Sequence, residues 1–333
     1  MIYPLALFRS LVAAIITTFD LLPAWQLLFF HFANLYQSGC MQRIPESELI
    51  LNDRGAIYHI GAMPGEIADT IILVGDPDRV SMVSKYFDKI DLKLQHREFI
   101  THTGYIGTKR ISVVSTGIGP DNIDIAMNEL DALANIDFTT RTIKAEHTSL
   151  DIFRFGTSGS LQEDVAVDSL VAGSHGLGLD NVMHFYKLEN NSSENSIIRH
   201  FRQHTGLEAG LVIPYIFEAS NQLLNQFHEG YRQGITVACP GFYGPQGRIL
   251  RLELAYPGLI EKLTSFRFED HLISNFEMES SAIYGLGKAL GHRCLSLNVI
   301  VANRVTKEFS KDGTAAVTLL IEKSISIISQ RGL

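Results

Sequence analysis

The sequence lacks most of the features that assign a chain quickly. Among 333 residues there are three cysteines, Cys40, Cys239 and Cys294. So few, so far apart, build neither a disulfide framework nor a zinc site, and a reduced, cytoplasmic setting is expected. Positive charge is not in excess: 28 Lys and Arg stand against 36 Asp and Glu, a formal net charge of −8. That argues against general attraction to nucleic acid or to an anionic membrane, so any bound anion needs a local cluster of donors. Neither a Gly-Lys-Ser/Thr phosphate loop nor a dinucleotide-binding glycine pattern occurs. Proline, glycine and serine are not gathered into a linker, and no repeat or low-complexity segment interrupts the chain. One domain is the simplest reading of residues 41–333.

The first forty residues differ from the rest. Leu11–Phe19 and Leu21–Tyr36 are dominated by apolar residues, interrupted by Asp20 and Pro23. A spanning helix wants about 20 consecutive apolar residues. A signal peptide wants positive charge before one apolar block, and only Arg9 is available. The favoured reading is that Met41 is the functional start and residues 1–40 lie outside the fold. A membrane or export segment and a folded appendage are the alternatives.

From Met41 onward strands alternate with helices. Thr70–Val74 is a short strand ending in Gly75-Asp76-Pro77, and Arg79–Lys89 has helical apolar spacing. Arg110–Ser115 is a buried-strand candidate, with Asp121 placed to cap the helix after it. Leu150–Phe155 is read as a strand ending in Gly156-Thr157-Ser158-Gly159. Further strands are expected at Ser169–Ala172, Leu211–Pro214, Ile235–Cys239 and Cys294–Ala302. Helices are expected from Glu279 to about Leu290 and over Ala315–Ser329. Residues 134–149 are polar and non-periodic, like an insertion on the rim. The pattern predicts an α/β fold, a single domain with a central mixed sheet flanked by helices and its site at strand ends.

Three places gather anion-binding chemistry. Gly75-Asp76-Pro77-Asp78-Arg79 combines a glycine that admits close approach with a forked guanidinium. Arg154-Phe155-Gly156-Thr157-Ser158-Gly159 offers a guanidinium, a hydroxyl and close-packed N–H groups, a phosphate-sized cradle. His96-Arg97-Glu98-Phe99 opens another strand. Taken singly, each arginine is better explained by a surface ion pair. Met278 and Phe242 alone would be read as core, Glu279 as a carboxylate at a helix N-terminus, and His59 as a surface residue.

Five motifs taken in order change this. Gly75–Val80, Ser115–Gly119, Arg154–Gly159, Phe242–Arg248 and Asn275–Ser280 resemble, in order and character, those of the uridine phosphorylases. These belong to the nucleoside phosphorylase family that includes hexameric purine nucleoside phosphorylases. The likeness runs from about Tyr58 to the C-terminus, and the Glu277-Met278-Glu279 run is its most specific part. It implies phosphorolysis of uridine, and of deoxyuridine in an extended range, to uracil and ribose 1-phosphate in pyrimidine salvage. Inorganic phosphate would be the co-substrate, with no organic cofactor. Gly75, Arg79, Arg154 and Thr157 resemble the phosphate ligands, and Arg97 resembles an arginine supplied to the phosphate by a neighbouring subunit. His59 is similar to the histidine that crosses the same interface to the ribose 5′-hydroxyl. Met278 and Glu279 resemble the ribose contacts. Phe242 resembles the residue that packs on the base, and Gln246 with Arg248 the pair that reads the uracil edge.

The chemistry suits those roles. Arginines orient a phosphate dianion beside the anomeric carbon, and Arg248 favours charge developing on the departing base. By the same resemblance Glu279 is expected to accept from the 2′- and 3′-hydroxyls. The shared site implies a homo-oligomer built from dimers, with a hexamer as the first expectation. Two departures stand out. Pro120-Asp121-Asn122 replaces a Gly-Pro-Ser segment whose serine, with a glutamate like Glu98, helps hold potassium between subunits in some relatives; no metal is assigned, and potassium near Glu98, with an oxygen from Asn122, is the alternative. Tyr243-Gly244-Pro245 replaces the usual Tyr-Pro-Gly. Asn303-Arg304 follows a strand as in uridine phosphorylases, where purine enzymes carry an acid. A purine or broad-specificity phosphorylase is the nearest alternative, and a non-catalytic nucleoside sensor the more distant one.

Overall fold

The structure, a computed structural model, describes residues 43–207 and 212–330. The apolar stretch 1–40, with its three readings, lies outside the described residues. Strand β1 (Thr70–Val74) leads into helix α1 (Pro77–Ser84), and β2 (Lys89–His96), β3 (Phe99–Ile106) and β4 (Lys109–Ser115) follow as an antiparallel meander. Helix α2 (Pro120–Asn135), the hairpin β5 (Ile136–Asp137) and β6 (Thr142–Ile143), and the long β7 (Asp151–Ser160) come next. Then follow β8 (Leu170–Gly178), α3 (Ser192–Thr205), β9 (Tyr215–Glu218), α4 (Asn221–Leu224) and β10 (Tyr231–Ala238). The remainder is α5 (Leu259–Ser265), β11 (Arg267–Phe268), β12 (His271–Glu277), α6 (Ser280–Leu290), β13 (Arg293–Asn303), β14 (Glu308–Phe309) and α7 (Gly313–Ser329).

Twelve strands form one mixed sheet in the order β11-β12-β10-β8-β13-β7-β1-β4-β3-β2, with β14 on β13 and β9 on β8. The expected single α/β domain with a central mixed sheet is what forms. β12 also pairs with β7, Asn275 opposite Ser160 and Phe276 opposite Gly159. That contact closes β12, β10, β8, β13 and β7 into a ring. β1 runs parallel to β4 and β7, and β7 parallel to β13, so their C-terminal ends open at one edge. Apolar runs such as Ile71-Ile72-Leu73-Val74 and Leu295, Leu297 and Val299 are buried because helices cover the sheet. Each such side chain contributes about 1.5–3 kcal/mol by leaving water.

Several expectations need correcting. The strand read as ending at Phe155 continues through Gly156–Gly159 to Ser160, because β13 pairs with it along its whole length. The glycines there are close-approach residues, not a turn. A Cβ on Gly159 would lie 2.8 Å from the Phe276 ring. Helix α1 spans Pro77–Ser84 instead of running on to Lys89; Asp76 caps it through the Asp78 N–H, and the chain is already in β2 at Lys89. Asp121 does not cap α2: Gly119 is the cap residue, with no side-chain cap bond, and Pro120 occupies the first turn. The strand expected before Pro214 begins after it, at Tyr215, since proline brings no N–H to the ladder. Residues 134–149 hold the β5–β6 hairpin, and Arg141 there ties down residues 44–49 by donating to the carbonyls of Ile44, Pro45 and Leu49.

Candidate active site

The site begins with a charge in an apolar strand. Arg154 sits between Phe153 and Phe155 in β7, opposite Leu73 on one side and Ser296 on the other. It is 6% exposed, so its donors must be met inside the protein. Nη1 donates to Asn298 Oδ1 at 3.2 Å and lies 3.4 Å from Glu277 Oε2. Nη2 is paired with Glu279 Oε2. Gly156 makes room, since a Cβ there would fall 1.7 Å from Arg154 Nη1.

The two carboxylates divide their work. Glu277 Oε2 accepts from the Glu279 N–H and Oε1 from the Ser280 N–H, each at 3.0 Å. Glu277 therefore satisfies the N-terminus of α6. Glu279 is the cap residue of that helix by position but gives it no side-chain cap. Its free oxygen, Oε1, instead accepts the Gly119 N–H at 2.8 Å, drawing the entry to α2 onto the site. Met278 lies half-buried between them.

The electrostatics turn on two neighbouring guanidiniums. Burial works against the charge of Arg154, but Glu279 and Glu277 outweigh it and hold the guanidinium above its ordinary range. Arg79, on α1, donates Nη1 to the Phe155 carbonyl at 3.1 Å. Burial and then the charge of Arg154 push it below its ordinary range. Two guanidiniums that repel one another across a partly desolvated gap favour a dianion between them. Gly75 and Thr157 border the same region. A Cβ on Gly75 would come 3.3 Å from the Gly117 carbonyl, and Thr157 is half-buried in the otherwise buried run Ile152–Ser160. Glu277 is pushed up to about 7, with burial the largest cause, Arg154 opposing and Glu279 adding.

A second group lies after β10. Residues Gly244–Gln246 make one 3-10 turn that ends at Gly247, whose φ of +66° suits glycine. The Arg248 N–H returns to the Tyr243 carbonyl at 2.8 Å. Gln246 is buried. Its Oε1 accepts from Arg248 Nη1 at 2.5 Å, and its Nε2 donates to the Glu277 carbonyl at 3.5 Å. That last bond joins the loop to the Arg154 centre. Arg248 also donates to the Phe242 carbonyl at 2.6 Å and stacks 3.7 Å from the Phe242 ring, which is half exposed. Arg304 Nη1 donates to the Gln246 carbonyl at 3.0 Å. Burial first, then Arg304, lowers Arg248 from its ordinary range.

His59 and Arg97 form a separate group. Arg97 is at the β2–β3 turn with a φ of +53° and lies 5.7 Å from the Tyr58 ring. His59 is edge-on to Tyr58 at 4.9 Å and tied to Glu129. Their recorded contacts run to Tyr58, His96, Phe99 and Glu129 rather than to Arg154, Glu279 or Gln246. Glu98 and Asn122 both reach the space beside Gly117, where a Cβ would meet Asn122 Nδ2 at 2.4 Å and Glu98 Cγ at 3.3 Å. Sequence reasoning missed Asn298 and the separate part of Glu277, and it noted Arg304 without placing it against Gln246. A signal existed for Asn298, a lone amide in an apolar strand. Pro245 and Arg248 of the base loop, with Leu179, Val212 and Leu252, help line an apolar cavity of about 650 Å³.

Fold and site together define an α/β protein with a buried strand arginine, Arg154, and a helix arginine, Arg79, beside two carboxylates and an amide-bearing loop. The chain belongs to the Phosphorylase superfamily, whose sequence profile matches residues 69–328. It is 29% identical over 296 residues to a uridine phosphorylase from Thermococcus kodakarensis, covering 87% of this chain and 93% of that protein. A purine nucleoside phosphorylase from Hahella chejuensis is 27% identical over 243 residues, covering 73% and 84%. Among solved structures, a Trypanosoma brucei nucleoside phosphorylase described as showing uridine phosphorylase activity superposes with a TM-score of 0.77 at 31% identity, over 85% of this chain and 98% of that one.

Proposed function

We propose that this chain catalyses phosphorolysis of uridine, transferring the ribosyl group from uracil to inorganic phosphate. The observation that carries this reading is the joining of two sites by one residue. Glu277 meets the phosphate arginine Arg154 through its carboxylate and the base-reading Gln246 through its carbonyl. A phosphate dianion between Arg79 and Arg154 would stand beside a diol held by Glu279, with the base against Phe242, Gln246 and Arg248. Thr157 and Gly75 would complete the phosphate shell, and Met278 the ribose contact.

The reaction then follows. A phosphate oxygen bonds to the anomeric carbon as the bond to the base nitrogen breaks. The sugar passes through oxocarbenium character, favoured by the adjacent dianion. The electron pair leaves on the uracil ring, and Arg248 favours charge at its carbonyl oxygen. Gln246 both donates and accepts, so it fits the amide edge of uracil, and a base without that edge strands a buried amide. Arg304, a cation beside Gln246, fits a purine less well than the acid that the resemblance gives purine enzymes at this place.

His59 and Arg97 point to a shared site, in which a second copy contributes both residues, and a dimer is the minimal active unit. The chain works without an organic cofactor, in pyrimidine salvage in the cytoplasm. Among the described residues no helix is long and apolar enough to cross a membrane. The test is release of uracil from uridine with and without phosphate, run beside inosine. Uracil formed only with phosphate, and inosine cleaved far more slowly, is the expected result. Equal rates on both nucleosides overturn the uridine assignment, and release without phosphate overturns phosphorolysis.

A further inference from the structure

A neutral histidine can present either ring nitrogen as an acceptor, and the other then carries the proton. His59 is a useful ribose contact only if one choice is imposed. Glu129, on the helix α2 that opens beside Glu279, imposes it. Its Oε1 takes the His59 N–H at 3.0 Å and faces His59 Nδ1 at 2.7 Å. Its Oε2 takes the Ile60 N–H at 2.8 Å and the His59 N–H at 3.1 Å. The Glu129 side chain is 12% exposed and that of His59 25%. On the other side, His96 Nδ1 stands 3.1 Å from the His59 carbonyl, so the peptide is braced from both directions.

A carboxylate can only accept. His59 Nδ1 must therefore carry the hydrogen of that contact, and Nε2 of the neutral ring is left with its lone pair outward. We propose that Glu129 is a positioning residue that fixes the rotamer and tautomer of His59, making Nε2 an acceptor for a donated ribose 5′-hydroxyl. The proposal rests on the reading of His59 as the 5′-hydroxyl contact and adds why that contact has a direction. A glutamine at 129 offers one accepting oxygen, and its NH₂ opposes the Nδ1 hydrogen. The ring is then released to turn or to exchange tautomers. Carboxylate partners play the same part for histidines that ligate metals.

The test compares uridine with 5′-deoxyuridine, which has no 5′-hydroxyl to donate. His59→Ala sets the reference by removing the acceptor. Glu129→Gln is expected to narrow the preference for uridine in kcat/KM by roughly tenfold, the loss of one well-directed hydrogen bond. A glutamate that served only the fold would lower both substrates alike and leave the ratio unchanged. Should His59→Ala keep the full preference, His59 is not the 5′-hydroxyl contact and the proposal goes with it. Should His59→Ala lose the preference while Glu129→Gln keeps it, Glu129 is overturned and the reading of His59 stands. Nitrogen-15 spectra of the wild-type imidazoles, assigned by the signal missing in His59→Ala, supply an independent measure. For the neutral ring a protonated Nδ1 and an unprotonated Nε2 are expected, and the reverse tautomer overturns the proposal even if Glu129→Gln does not fold.

Discussion

The centre around Arg154 and the rim around His59 are built in opposite ways. Arg154 comes from the middle of a ten-residue strand and is 6% exposed, with its partners on β12, β13 and the start of α6. His59 comes from a segment before β1 without regular structure, and Arg97 from a turn with left-handed backbone. The centre satisfies itself: its guanidinium already faces Asn298, Glu277 and Glu279. The rim shows its rings to the outside, with Tyr58 37% exposed. The contrast teaches that one chain can preorganise charge in its core while it holds the side chains of its rim at the surface on short braces.

The strongest way to break the centre is Arg154→Ala. Phosphorolysis should fall roughly a thousandfold, as when an oriented donor is removed from a water-poor site. The fold should also weaken, by about 3–5 kcal/mol, because Glu277 and Glu279 lose the charge between them. Urea unfolding and steady-state rates at saturating phosphate measure the two effects. Arg154→Lys should recover part of the stability and less of the rate, since an ammonium lacks the planar fork. A variant of normal rate and phosphate affinity would make Arg154 purely structural.

Gln246→Ala tests whether the base loop belongs to the centre. It removes both the Arg248 partner and the donor to Glu277. Uridine turnover should lose about 2–4 kcal/mol of transition-state stabilisation, while phosphate affinity changes little. If phosphate affinity falls in step with turnover, the loop acts through Glu277 and not by reading the base.

The contrast also marks what the sequence could disclose. Apolar runs and strand-end glycines predicted the α/β sheet, because buried strands follow from composition over a few residues. The ordered motifs led to Arg154, Glu279, Gln246 and Arg248, and the structure brings all four together. Sequence could not show that Gly156 and Gly159 lie within a strand, since a glycine placed for Arg154 or Phe276 reads like a turn glycine. Nor could it show Glu129 against His59, a pair 70 residues apart. The ring closed by β12 and β7 is likewise a long-range pairing with no local signature.

The rim is tested by mixing two impaired variants, His59→Ala and Glu279→Ala, under conditions that allow subunit exchange. In a mixed dimer with shared sites, one site carries both lesions and the other neither. Random pairing of equal amounts should restore roughly a quarter of wild-type activity. No recovery despite demonstrated exchange would mean that both residues serve the same chain, and the rim would then have to fold inward.

The smallest effect concerns the charge balance of the centre. Arg154 at 3.4 Å and two N–H donors favour an ionised Glu277, while burial and the neighbouring Glu279 oppose it. Burial prevails, and the carboxyl is pushed from an ordinary 4.5 up to about 7. Between those values the folded chain holds the proton more tightly than the unfolded chain. The contribution of Glu277 is therefore fully present below about pH 4.5 and declines as pH rises through about 7. Glu277→Gln cannot ionise, so it should lack this slope. Urea unfolding from pH 4.5 to 8 should show wild type losing stability relative to the variant as pH rises. A constant offset over that range would mean that Glu277 is ionised throughout and that Arg154 outweighs burial. The core would then carry two carboxylates on one guanidinium, and the centre would be short of positive charge rather than prepared for an anion.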